Sequence, residues 1–189
     1  MIINTSKLLG ILFNQKKNKA ELIEIVSALH DDHILSVATL DALVQLSEDD
    51  LTYSFTELFE GVGVMKAPPW GSVYLDRERV VFGESTIKFR QFLSDNGVVL
   101  NTGVREPEDQ FGLMLFAFAF FLERDQTKAA NELMERHLLT WCYFYLRQLR
   151  KFAPNEFYRN LSTDVIAWLN DVVFSLDLNV EEKKIFTDV

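Results

Sequence analysis

The run from Phe111 to Leu122, FGLMLFAFAFFL, is twelve residues long and holds no charged or hydroxylated side chain. A helix that spans a membrane needs about 20 such residues, so a run this short reads as a helix enclosed by protein on nearly all sides. The rest of the chain must supply that enclosure. With 189 residues it is long enough to bury about 70% of the surface its unfolded form exposes. No disulfide or metal staple is needed, and the single cysteine, Cys142, forbids an internal disulfide.

The segments around this run repeat with a helical period. Apolar residues recur at three and four in Leu8, Leu9, Ile11 and Leu12. A second helix is expected over Ala20–Leu29, with Leu22, Ile23, Ile25, Val26 and Leu29 inward, and a third over Ile34–Leu46. Ser47 to Asp50 supplies caps and first-turn acids for a fourth helix, which Gly61 ends. From Gly61 to Gly83 the helical period is lost. That stretch holds Pro68-Pro69 and four glycines, and a loop so long inside a compact domain is usually functional. Val73–Leu75 and Val80–Phe82 are expected to pair as a short hairpin within it. Helix resumes over Ser85–Asn96 with Gly97 as its stop, and Asn101–Glu106 is a polar connection. Pro107 is expected as the first residue of the central helix, where its missing N–H costs nothing. Helices over Gln126–Leu139, Thr140–Phe152 and Glu156 to about Leu176 complete the pattern, and the polar tail from Asn179 is expected to fray. The chain thus reads as a single all-α globular domain over residues 1–189, with eight to ten helices around a buried central helix and one long irregular loop.

Charge narrows the function. Nineteen Lys and Arg against 28 Asp and Glu give a net charge of −9, which argues against nucleic acid, since phosphate binding depends on clustered positive charge. Residues 1–19 carry four lysines and no acid, whereas residues 20–50 carry eight acids and no Lys or Arg. A solvated helical face explains this, and an acidic surface for a basic partner is the sharper reading. The apolar stretch Leu8–Phe13 is too short for a signal-peptide core and leads to no cleavage site. No integral membrane segment is expected, and a cytoplasmic location follows.

Catalytic chemistry is hard to find. The sequence has no GxxxxGK[ST], GxGxxG or GxSxG pattern. His30-Asp31-Asp32-His33 is metal-like in composition, yet it falls at a helix junction where capping accounts for it. His137 sits near a helix end, and Cys142 lies in the aromatic stripe TWCYFYL, where it reads as a small buried hydrophobe. The chain reads as a non-enzyme without a cofactor.

Three stretches remain unusual: FTELFEG (Phe55–Gly61), PPWGSVYLDRERVVFGEST (Pro68–Thr86) and EPEDQFG (Glu106–Gly112). On these the chain resembles the TorD/DmsD/NarJ family of redox-enzyme maturation chaperones, and within it the DmsD branch. The second stretch is long and compositionally rare. The third is the family's E-P-x-D-H signature with glutamine at its last position. SKLLGILF and the late FYR of Phe157–Arg159 extend the likeness over nearly the whole chain.

The resemblance implies a chaperone that binds the twin-arginine signal peptide of a molybdenum-containing reductase. It would hold the client back from the Tat machinery until cofactor insertion and folding are complete. For the DmsD branch the implied client is the dimethyl sulfoxide reductase catalytic subunit, and Tat translocase components are possible further partners. A chaperone for a trimethylamine N-oxide or nitrate reductase is the alternative. A nucleotide-hydrolysing regulator is a weaker one, for want of a phosphate cradle. Carried over by motif, the peptide-binding positions are Phe55, Leu58, Phe59, Trp70, Leu75, Gly83, Pro107, Asp109 and Gln110. Gln110 cannot become a cation as the family histidine can.

A twin-arginine signal is two adjacent arginines followed by an apolar segment. Its receptor needs carboxylates for the guanidinium groups and a greasy wall for the rest. Glu106 and Asp109 stand three apart, with Asp76 and Glu78 in the neighbouring motif, and Trp70, Tyr74, Leu75 and Phe59 offer the wall. Asp109 and Trp70 rank first as binding residues, then Leu75 and Asp76. Helix-start chemistry at Glu106–Asp109 and core packing at Phe55, Leu58 and Phe59 are the competing explanations of the same residues.

Overall fold

The computed structural model describes residues 1–61, 63–99 and 106–187. Among them run ten α-helices: α1 (Ile2–Asn14), α2 (Lys19–Asp31), α3 (Val37–Gln45), α4 (Glu48–Phe59), α5 (Ser72–Leu75), α6 (Glu84–Asp95), α7 (Phe111–Glu123), α8 (Thr127–Glu132), α9 (Cys142–Phe152) and α10 (Glu156–Ser175). A π-helical turn, Leu133–Leu138, follows α8 directly. No strand occurs among the described residues, and none of their helices is long and apolar enough to cross a membrane. The architecture is all-α.

Local chemistry sets the helix starts. Asn18 and Glu21 form a reciprocal capping box on α2, and Ser47 and Asp50 do the same on α4. Each box satisfies two backbone N–H groups that a helix start leaves without partners. Asn155 caps α10 through the Tyr158 N–H.

The enclosed helix is α7. From Phe111 to Leu122 none of its side chains is exposed. Its closest neighbour is α1: a Cβ on Gly112 would stand 2.7 Å from the Gly10 carbonyl oxygen, so the two backbones touch where only glycine fits. The Phe111 ring lies 4.8 Å from Phe13 on α1 and 5.4 Å from Tyr145 on α9, both in tilted or edge geometries. Phe120 turns outward and is covered by the Arg124 guanidinium, 4.3 Å above the ring. Beyond this centre, α10 packs on α9 and on α3, and α3 packs on α2.

Several expectations need correction. Val73–Leu75 is not a strand but most of the short helix α5, and Val80–Phe82 is not a strand either. The SVYL sequence has an apolar residue at three of four positions, which suits a buried single turn as well as an alternating strand. Pro107 is not the first residue of α7. The helix begins four residues later, capped by Gln110, because the intervening turn is pinned to the Pro-Pro-Trp loop. The expected helix over Gln126–Leu139 is divided: α8 stops at Glu132 and the chain widens into the π turn. The tail after α10 does not hang free. Asn179 and Glu181 donate backbone hydrogen bonds to Glu135, and the Phe186 N–H donates to the Tyr74 carbonyl at 2.8 Å. Most of the expected polar connection, residues 101–105, lies outside the described residues.

Candidate functional site

The two rarest sequence stretches meet as a clasp. Phe111 N–H donates to the Pro69 carbonyl at 2.8 Å, and Gly71 N–H donates to the Asp109 carbonyl at 3.1 Å. These bonds frame an isolated antiparallel bridge between Trp70 and Gln110. Side chains reinforce it. Trp70 Nε1 donates to Glu106 Oε1 at 2.7 Å, and Ser72 N–H donates to Asp109 Oδ2 at 2.6 Å. The Pro-Pro pair removes two backbone donors and stiffens the loop, leaving the Trp70–Ser72 segment to do the bonding.

Gln110 ties the clasp to the core. Its Oε1 accepts the Leu113 N–H at 2.9 Å and so caps α7, while its Nε2 donates to the Phe13 carbonyl at 2.6 Å. A neutral amide does both jobs with one donor and one acceptor. Glu108 holds the outer side through a bidentate pair with Arg90 of α6, at 2.6 and 2.8 Å.

The end of α5 is joined to α6 by Asp76. α6 has no side-chain cap of its own, and Asp76 supplies one from outside, accepting the Ser85 N–H at 3.1 Å and its hydroxyl at 2.9 Å. Gly83 is required here. A Cβ on it would lie 2.1 Å from Asp76 Oδ2.

Position and burial sort the expected binding residues into three groups. Phe55, Leu58 and Phe59 on α4 belong to the core, with Phe59 against Phe13 and Tyr158. Trp70, Tyr74, Pro107, Asp109 and Gln110 are buried in the clasp. Tyr74 donates its hydroxyl to the Pro68 carbonyl and stacks on Trp141. Leu75, Asp76, Gly83 and Glu106 form its half-buried edge. The structure therefore brings all of these residues but the α4 trio into one hydrogen-bonded unit. The trio joins it through Phe13, whose ring meets Phe59 and whose carbonyl accepts from Gln110. Asp109, ranked first from sequence, is 3% exposed and cannot meet a guanidinium in this conformation.

The clasp carboxylates are perturbed. Burial pushes the Asp109 carboxyl up, while the Ser72 N–H and the nearby hydroxyls of Ser72 and Thr86 pull it back. Those hydroxyls fall short of hydrogen-bond geometry, and Asp109 Oδ1 is buried without a partner. Glu106 is pushed up by burial and by the charge of Asp109, and its bond from Trp70 only partly offsets this. Ser72, Thr86, Phe13 and Trp141 were not signalled by the sequence, since each looks like ordinary packing until the clasp closes around it.

The remaining chemistry is inert. His30 Nδ1 is 2.9 Å from the Leu35 carbonyl, so the HDDH stretch finishes α2 and turns the chain. Burial drives the Cys142 thiol far above its ordinary range. No cluster of potential metal ligands occurs among the described residues.

Residues 15–145 match the family model described as nitrate reductase delta subunit. The chain belongs to the TorD/DmsD/NarJ family of redox-enzyme maturation chaperones. A Haemophilus influenzae relative carrying the name Tat proofreading chaperone DmsD is 34% identical over 185 residues, covering 92% of this chain and 91% of its own. The Tat proofreading chaperone DmsD of Salmonella typhimurium is 34% identical over 166 residues, covering 83% of this chain and 81% of its own. A solved structure from Archaeoglobus fulgidus, described as a candidate redox enzyme maturation protein, superposes with a TM-score of 0.65 over 90% of this chain and 94% of its own. At 16% identity that likeness shows the fold alone. The named relatives are chaperones, not catalysts, and all three family stretches fall on the core and clasp described above.

Proposed function

We propose that this chaperone binds the twin-arginine signal peptide of a molybdenum reductase in the cytoplasm, with the dimethyl sulfoxide reductase catalytic subunit as its client. It would delay Tat export until the cofactor is inserted. The observation that carries the reading is the clasp itself: two of the three family stretches, Pro68–Thr86 and Glu106–Gly112, are spent on holding a half-buried acidic and apolar edge, Leu75, Asp76 and Glu106, in fixed geometry. A rigid edge loses little freedom when a peptide docks on it, so more of the contact energy appears as affinity.

In this reading Glu106 and Asp76 receive the arginines and Leu75 the apolar residues. Trp70 and Asp109 are positioning residues. Trp70 orients the Glu106 carboxylate, and Asp109 fixes the turn into α5. The net charge of −9 draws a cationic peptide inward.

Calorimetric titration with a synthetic dimethyl sulfoxide reductase signal peptide tests this. Binding that collapses for the Arg-Arg→Ala-Ala peptide supports the reading. No binding to this peptide, with binding to a trimethylamine N-oxide or nitrate reductase signal, would reassign the client. Relatives named TorD, such as the Actinobacillus succinogenes protein at 30% identity, make that comparison worthwhile.

A further inference from the structure

The segment after α10 contains Lys183-Lys184-Ile185-Phe186, two adjacent cations followed by two apolar residues. That is the order of chemistry in the peptide this chaperone is proposed to bind, and the inference below rests on that proposal. The segment is neither helix nor strand and meets the clasp at Tyr74. Phe186 N–H donates to the carbonyl of Tyr74, the residue before Leu75. Lys183 donates to the Arg136 carbonyl on the π turn, and Ile185 packs half-buried against the core.

Beneath it is a small cavity of about 60 Å³, lined by Lys183 together with Asp109, Leu75, Lys88, His137 and Trp141. Asp109 is buried, and its Oδ1 makes no hydrogen bond. A charged oxygen in that state is costly unless a donor or cation can approach. Lys88 on α6 pairs with Glu84 at 2.7 Å, and Lys183 bonds the Arg136 carbonyl and pairs with Glu181 at 3.8 Å, so Lys183 is the cavity-wall cation that the segment itself carries in or out.

We propose that residues 179–187 are a built-in competitor for the signal peptide, and that their Ile185-Phe186 end covers the Leu75 side of the clasp edge, where the apolar residues that follow the paired arginines dock. The strap is held loosely enough to yield. Residues 181–184 are exposed, and the segment has only a few backbone hydrogen bonds to the body, each worth about 0.5–1.5 kcal/mol net. A strap closed for about 70–90% of the time lowers apparent affinity about three- to tenfold, because only the open fraction binds.

The test uses the full chain carrying Lys183→Ala, Lys184→Ala and Ile185→Ser together, titrated with the same signal peptide as the wild type. Binding three- to tenfold tighter in the variant is the expected result. Equal affinity would overturn the strap while leaving the chaperone reading intact. Binding by neither chain would overturn both. Hydrogen exchange at the Phe186 amide of the wild-type chain gives a readout that needs no variant. Saturating signal peptide should speed it, and unchanged exchange alongside tight binding would place the peptide elsewhere and overturn the inference.

Discussion

Asp109 is where a binding role and a structural role separate. Its buried Oδ2 accepts the Ser72 N–H, so Asp109→Ala leaves a buried donor unpaired and should cost about 1–3 kcal/mol in urea unfolding. Asp109→Asn keeps an acceptor there and removes a charge that burial disfavours, so it should lose far less. Equal losses would mean that the charge, not the bond, matters. Glu106 stands on the accessible edge with its carboxyl held above the ordinary 4.5. In the proposed function it grips an arginine only when ionised, so peptide affinity should begin to fall with acidification at a higher pH than an ordinary carboxylate would give, and Glu106→Gln should remove that onset. His137 titrates in the opposite sense for stability. Burial, then Lys183 and Arg136, bring its pKa from 6.5 down to about 4. Its neutral form is the folded one, so its contribution is whole above pH 6.5 and is lost as the pH falls toward 4, by about 3 kcal/mol. Asp109, raised by burial, gains on the same descent, so the His137→Gln chain is the proper reference. Between pH 7 and 4 the unfolding free energy of the wild type should fall relative to that of the His137→Gln chain.

The helices and their joints show what a sequence can and cannot announce. Period alone announces α1, α2 and α10, and Ser47–Asp50 adds a cap for α4, because both signals act within a few residues of themselves; the caps Asn18–Glu21 and Asn155 are seen only in the structure. The start of α7 was misread because Pro107 obeys a local rule, while Gln110 obeys a distant one through the carbonyl of Phe13. α5 was misread because four residues cannot distinguish period two from period 3.6. The π turn at Leu133–Leu138 has no local signal at all. Gly83 tests the joint between α5 and α6. Gly83→Ala drives a methyl into Asp76 and breaks the cap it lends to α6, which should cost about 0.5–2 kcal/mol. Combined with Asp76→Ala the loss should be much less than additive in the same unfolding measurement, because the cap is then already gone.

Across the whole molecule, the fold follows from one enclosed helix, and the run at Phe111–Leu122 was enough to foresee it. The candidate site was only half visible. Its residues stood out by motif, but which of them face solvent depends on contacts between stretches some forty residues apart, such as Trp70 with Glu106 and Ser72 with Asp109. Those contacts bury Asp109 and Trp70 and leave Glu106, Asp76 and Leu75 at the half-buried edge. In the proposed function this edge reads paired arginines by charge. A double-mutant cycle by calorimetry tests it directly, crossing Glu106→Gln in the chaperone with Arg-Arg→Ala-Ala in the signal peptide. The two changes should be coupled by about 0.5–3 kcal/mol, the range for groups in contact. Strictly additive losses would contradict it, and would leave the Glu106 carboxylate as a partner of Trp70 alone.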